Sequence, residues 1–219
     1  MRSSIEHCAG LVRAGDPLRY LATLYAPASK RPALFAIHAL DLALLGVATS
    51  TTDAMIGQIR LAWWRERITE LGQGRAPAEP VLAALANAGV TAASLHGFDD
   101  PSLALIDESP VQWAEQRGER LFAAISAVLG VPATPDTLAA GRGWAAVDGW
   151  RRGYLHQDKA ATLLADAPRK SPVPLRPLLG LLAVARRDLR RADPGQPDGV
   201  TVSPSRQIRL AFAIVTGRL

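Results

Sequence analysis

Apolar residues recur at three- and four-residue spacing along most of this 219-residue chain. Asp16-Pro17 reads as a helix start, because Asp caps free amide groups and Pro tolerates the first helical turn, and a short helix is predicted to run to Tyr25. Residues 26–30 form a turn, and Arg31-Pro32 opens a second helix whose row Leu34, Phe35, His38, Leu42 and Leu45 marks one face. Residues 49–53 end it and cap a third helix over 54–71. That helix has two apolar rows, Ile56-Ile59-Trp63 and Leu61-Trp64-Ile68-Leu71, which predicts a central element buried on two sides. A break covers 72–77, and an alanine-rich helix spans 79–88. Two short helical pieces flank a loop at 97–101 within 91–109. Further helices are expected over 110–129, 135–154, 158–166, 175–191 and, capped by Ser203, to about 217. Alternating strand patterns bounded by hairpin turns do not occur, so the expected fold class is all-α, with one domain over residues 1–219.

Composition agrees with helices packed through Ala, Leu, Val and Ile, since 48% of residues are hydrophobic and only 5% aromatic. The net charge of +5 and pI near 10 favour anionic partners in general. The local arginine clusters, Arg151-Arg152 and Arg186, Arg187, Arg190 and Arg191, read as solvated helix faces and do not call for a nucleic-acid surface. Cys8 is the sole cysteine, which excludes an internal disulfide and fits a reducing compartment. The N-terminus carries no apolar stretch of signal-sequence length. The runs 33–40 and 42–48 stop short of the roughly 18–20 apolar residues of a membrane span. The expected location is therefore cytoplasmic, with at most peripheral contact at an anionic inner membrane.

Two stretches carry a resemblance. The first is Arg19-Tyr20-Leu21-Ala22-Thr23-Leu24-Tyr25-Ala26-Pro27, continuing through Lys30-Arg31-Pro32-Ala33-Leu34-Phe35-Ala36-Ile37-His38-Ala39. The second is Gly57-Gln58-Ile59-Arg60-Leu61-Ala62-Trp63-Trp64-Arg65-Glu66. Together they resemble the squalene/phytoene synthase family, most closely its short divergent branch that includes the mitochondrial respiratory complex I assembly factors. Weaker similarity continues through Trp113-Ala114-Glu115 to the closing Arg206-Gln207-Ile208-Arg209-Leu210. The resemblance implies a single helical bundle of the isoprenoid synthase type.

It also implies a test. Family members that condense prenyl diphosphates neutralise the leaving group with magnesium ions held by two aspartate-rich motifs, each placing acids at i and i+4 on one helical face. By the resemblance, the first pair falls on Leu45 and Thr49, and an upstream basic diphosphate ligand falls on Leu42. Asp41 is the only acid on that helix. The second motif falls on 141–154, where Ala145-Ala146-Val147-Asp148-Gly149-Trp150-Arg151-Arg152 stands, and Asp148 and Asp158 are ten residues apart. Acids four apart occur only at Glu66/Glu70 and Glu115/Glu119, interleaved with arginines as on a solvated, ion-paired face. Along 110–129, where the family lines its prenyl tunnel with small residues, Gln116, Arg117, Glu119 and Arg120 surround Gly118, implying a surface or a filled cleft.

His38 stands where the resemblance implies a cavity-facing tyrosine, and is read either as an anion contact or as a satisfied core residue. Trp63, Trp64 and Arg65 could clamp a ligand, although packing between helices accounts for both rings. Arg60 and Arg67, at i and i+7, could hold diphosphate or pair with neighbours. His96, Asp99 and Asp100 read as loop residues. Histidines at 7, 38, 96 and 156 lack metal-ligand spacing. The candidate ligand-binding set is thus Tyr20, His38, Asp41, Arg60, Trp64 and Arg65, with no catalytic or metal-binding residue assigned. The expectation is a catalytically degenerate member that binds a protein partner or an isoprenoid-like lipid, with a role in respiratory complex assembly and no cofactor. The alternative is an active magnesium-dependent prenyltransferase.

Overall fold

The computed structural model describes residues 3–73, 78–191 and 203–219. Eleven α-helices follow one another along these residues: α1 (Ser4–Gly15), α2 (Pro17–Leu24), α3 (Arg31–Ser50), α4 (Ala54–Thr69), α5 (Pro80–Asn87), α6 (Asp100–Ile106), α7 (Pro110–Val128), α8 (Pro135–Arg151), α9 (Gln157–Ala165), α10 (Arg176–Arg191) and α11 (Pro204–Thr216). Short 3-10 turns lie at Ala92–Leu95 and Val173–Leu175. Apart from one isolated bridge between Lys170 and Arg218, the described residues form no β structure, so the fold is all-α as expected. The predicted break over 72–77 falls, from residue 74 on, outside the described residues.

Local chemistry sets the helix ends. Ser3 and Glu6 form a reciprocal capping box on α1, and the side chains of Asp16, Asp53, Thr134 and Ser203 accept amide hydrogen bonds at the starts of α2, α4, α8 and α11. Proline stands in the first turn of α2, α3, α5, α6, α7, α8 and α11, where its missing N–H costs nothing.

Helices α3 and α8 are buried over most of their circumference and lie at the centre of the core. Helix α7 crosses α8 backbone to backbone. A Cβ placed on Gly118 would lie 2.1 Å from the Gly141 carbonyl oxygen, and one on Gly141 would lie 2.2 Å from that of Gly118. Only a glycine pair permits this approach, and it brings Arg117 of α7 against Trp144 of α8.

Two expectations change. Helix α4 is not buried on two sides: Gly57, Leu61, Trp64 and Ile68 face the core, whereas Ile56, Ile59 and Trp63 are 52%, 64% and 44% exposed, joined by Met55 at 69%. The inward row is the one that α3 and α6 cover, and the second apolar row stays 44–64% exposed. Residues 28–50 are long and apolar enough to cross a membrane by length and composition, which the short uninterrupted runs concealed. Two-thirds of that stretch is buried inside the bundle, as in a core helix.

Candidate functional site

The position where α3, α7 and α8 meet is occupied by charge. Asp41, the one acid of α3, is surrounded by Leu40, Leu44 and Leu45 and is 6% exposed. Arg117 of α7 grips it bidentately, its Nε donating to Oδ1 at 2.7 Å and its Nη2 to Oδ2 at 2.8 Å. The remaining terminal nitrogen of Arg117, Nη1, donates to Oδ2 of Asp148 on α8 at 2.6 Å. Arg19 of α2 donates from Nη1 to Asp41 Oδ2 at 2.6 Å and from Nε to Asp16 Oδ2 at 2.8 Å. Arg152, just past α8, reaches Asp148 at 2.9 Å. Three guanidinium groups therefore meet three carboxylates, Asp16, Asp41 and Asp148, and the cluster carries no net charge.

Aromatic rings complete the enclosure. The Arg117 guanidinium lies 5.0 Å from the ring centroids of both Trp113 and Trp144, and that of Arg19 lies 5.2 Å from Trp144. Burial alone would raise the carboxyl pKa values of Asp41 and Asp148. The neighbouring guanidiniums outweigh it and hold both acids well below the usual carboxylate range. Burial pulls Arg117 the other way, yet its two aspartates lift it above the ordinary arginine value. Asp41, Asp148 and Arg117 therefore stay ionised at any physiological pH.

His38 is one turn before Asp41 on α3 and also buried. Burial, then the nearby Arg19 charge, with Arg117 adding and Asp41 opposing, pushes its pKa down to about 3. Its Nδ1 has no hydrogen-bond partner among the described residues. It is a neutral imidazole, not a cationic anion hook. The cavity beside His38, walled by Thr23, Leu34 and Leu178, holds about 10 Å³, and so does the one beside Asp41 and Arg117. Each is about one water sphere in size.

Magnesium, which the family resemblance implies for a synthase, does not fit these residues. Each helix offers a single carboxylate, and each carboxylate is already bonded by two guanidiniums. Leu45 is a core residue and the Thr49 hydroxyl donates to the Leu45 carbonyl. No group of three or more His, Cys, Asp or Glu side chains is arranged to hold a metal ion among the described residues.

The candidate set is split by the fold. Asp41 sits in the cluster and His38 beside it. Tyr20 is half-buried, stacked on Phe35 and covered by Arg13. Arg60 is exposed and donates to the Thr51 hydroxyl at 3.2 Å. Trp64 packs inward, edge-on to Trp63. Arg65 pairs with Asp99 at 2.5 Å, in the loop before α6. The α4 residues thus belong to a different surface from Asp41. Sequence reasoning missed Arg19, Arg117 and Asp148 as partners, and it missed a second buried cluster. There Asp188 of α10 accepts from Arg151 of α8 at 2.6 Å, Arg187 at 3.0 Å and Arg206 of α11 at 2.8 Å. Arg151 and Arg187 are accordingly not a solvated face. The one available signal was an isolated charge within a run of apolar residues, as at Asp41 and Asp148.

Comparison with known proteins bears on this geometry directly. A sequence model of the squalene/phytoene synthase family matches residues 12–96, the part that supplies Arg19, His38 and Asp41. Over this segment the chain is similar to that family. Its all-α bundle agrees with the helical architecture that this similarity implies. The chain is also similar to NADH dehydrogenase (ubiquinone) complex I, assembly factor 6, at 29% identity to the Bos taurus protein and 30% to the Homo sapiens protein. Each match covers 80 residues, 36% of this chain and 24% of the relative, so the chain matches about a quarter of the length of these curated relatives. No solved structure matches it.

Proposed function

We propose that this squalene/phytoene synthase-like chain is a scaffold without diphosphate chemistry that binds a protein partner during assembly of a respiratory membrane complex. The observation that carries the reading is Arg117, which spans Asp41 and Asp148 where a synthase would need metal between facing acidic helices. An ion cluster neutralised from within has no residual field for a magnesium-diphosphate group, and cavities of about 10 Å³ leave no room for a prenyl chain. The similarity to complex I assembly factor 6 supplies the class of partner. The exposed row Met55, Ile56, Ile59 and Trp63 on α4, with Arg60 beside it, supplies an apolar surface of the kind that protein contacts cover. The expected location, cytoplasmic with peripheral contact at the inner membrane, belongs to the same proposal.

The test is loss and restoration in the source organism. Deleting the gene should lower NADH:quinone oxidoreductase activity in isolated membranes and the amount of assembled complex on native gels. The unaltered chain should restore both, and the Ile59→Asp/Trp63→Asp variant should not. Normal complex levels without the protein would overturn the assembly role. Release of diphosphate from farnesyl or geranylgeranyl diphosphate with magnesium would overturn the non-catalytic reading and favour the prenyltransferase.

A further inference from the structure

Helices α9 and α10 flank an open cavity of about 370 Å³ that shares no lining residue with the Asp41 cluster. Arg169, Arg186 and Arg190 line it together with one acid, Asp158 at the first turn of α9. Arg186 is half-buried and fixed, donating to the Ala167 carbonyl at 2.6 Å and the Pro168 carbonyl at 3.0 Å. Its fork is therefore held by the backbone and keeps its charge unneutralised. Burial, followed by the like charges of Arg169, Arg190 and Arg209, lowers its pKa, which reports cations crowded together. Among the described residues, neither Arg169 nor Arg190 has an acid within ion-pair distance, in contrast to the arginines of the Asp41 and Asp188 clusters. Leu164, Ala161 and Leu189 provide an apolar wall, and Gln157 ties α9 to α10 by donating to the Leu189 carbonyl.

Repulsion among guanidiniums on a partly desolvated wall is relieved by a bound anion, and the planar fork of arginine suits phosphate oxygens. The volume lies at the small end of organic-ligand sites and exceeds a bare phosphate, so the ligand has an organic part to lie on the leucine wall. We propose that this cavity is a binding site for a phosphomonoester carrying a short apolar group, either a lipid headgroup with the start of its chains or a soluble organic phosphate.

The full chain is titrated calorimetrically with three probes: dihexanoyl phosphatidic acid below its micellar concentration, glycerol 3-phosphate, and dihexanoyl phosphatidylcholine. Binding of phosphatidic acid with weak glycerol 3-phosphate binding supports the site and a lipid source; comparable binding of both supports the site and a soluble source. Arg169→Gln/Arg190→Gln, which alters two exposed side chains and leaves Arg186 on its carbonyls, should weaken the bound probe about tenfold or more. Asp158→Asn should tighten it about two- to fivefold by removing the opposing charge. Far-UV circular dichroism checks that both variants fold. Failure of both anionic probes to bind, equal binding of phosphatidylcholine, or unchanged affinity in the double arginine variant would overturn the proposal.

Discussion

Replacing Arg117 by methionine keeps an unbranched apolar stem beside Trp113 and Trp144 and removes the charge that joins α3, α7 and α8. Three short hydrogen bonds, at 2.6, 2.7 and 2.8 Å, disappear together with two ring contacts at 5.0 Å. Asp41 and Asp148, 6% and 1% exposed, are left as like charges in a dry site, with only Arg19 and Arg152 to offset them. Removing one partner of a buried pair costs about 3–5 kcal/mol, a large part of the roughly 5–15 kcal/mol by which a domain of ordinary stability is held. The loss should depend on pH with a definite sign. In the unaltered chain both carboxyls titrate below their unfolded values, so their contribution is full above about pH 4 and declines as pH falls further. In the variant, burial is far less opposed and raises them, so the penalty is greatest at neutral pH and shrinks toward about pH 4 as the acids protonate. Urea unfolding followed by far-UV circular dichroism from neutral pH to about pH 4 measures both quantities. Adding Asp41→Asn to Arg117→Met should recover part of the loss, because one stranded charge is gone, with a coupling of about 0.5–3 kcal/mol. A deficit under about 1 kcal/mol that does not vary with pH would refute the claim that this cluster is desolvated and mutually neutralising.

Gly118→Ala should cost about 3 kcal/mol or more in the same unfolding assay, because its methyl would meet the Gly141 carbonyl at 2.1 Å and the clash is with backbone that cannot rotate away. His38→Gln should flatten the decline in stability between about pH 6.5 and 4: the buried imidazole resists protonation while the unfolded chain accepts it, so stability falls as pH drops below the unfolded value. Cys8, with its thiol buried and its pKa pushed up to about 12 by burial and the nearby Glu79, should react with a thiol reagent only after unfolding in urea. Ile59→Asp should change unfolding free energy by less than about 1 kcal/mol, since its side chain is already 64% exposed, and a larger loss would place that face against something within the fold.

Helix positions were legible because their signals are local. Asp16-Pro17, Asp53 and Ser203 mark helix starts within two or three residues of the backbone amides they satisfy. Burial of α4 was misread because an apolar row states only that a surface avoids water when it can, and not which surface the neighbouring helices are wide enough to cover. The ion cluster was harder still. Asp41 and Arg117 are 76 positions apart, and Arg117 faces inward only because Gly118 and Gly141 let α7 and α8 close to backbone contact. Against the pattern that the resemblance implies, Leu45 and Thr49 stand plainly where acids are expected. The sequence does not show that Asp41 and Asp148 are each bonded by two arginines.

That pairing makes the meeting point of α3, α7 and α8 a charge-balanced core. A metal-dependent site tolerates facing acids because divalent cations arrive with the substrate, so its electrostatic balance is completed from outside the chain. Here the balance is completed by Arg117, Arg19 and Arg152, which are always protonated and always present. A lysine in place of Arg117 could not span two carboxylates and lie against two indoles at once, because it is a single point charge without a planar fork. The arginine therefore stabilises the bundle through its geometry as much as its charge. With the charge of that interior balanced, the surfaces proposed for recognition are the apolar face of α4 and the arginine-lined cavity between α9 and α10, neither of which shares a residue with the Asp41 cluster.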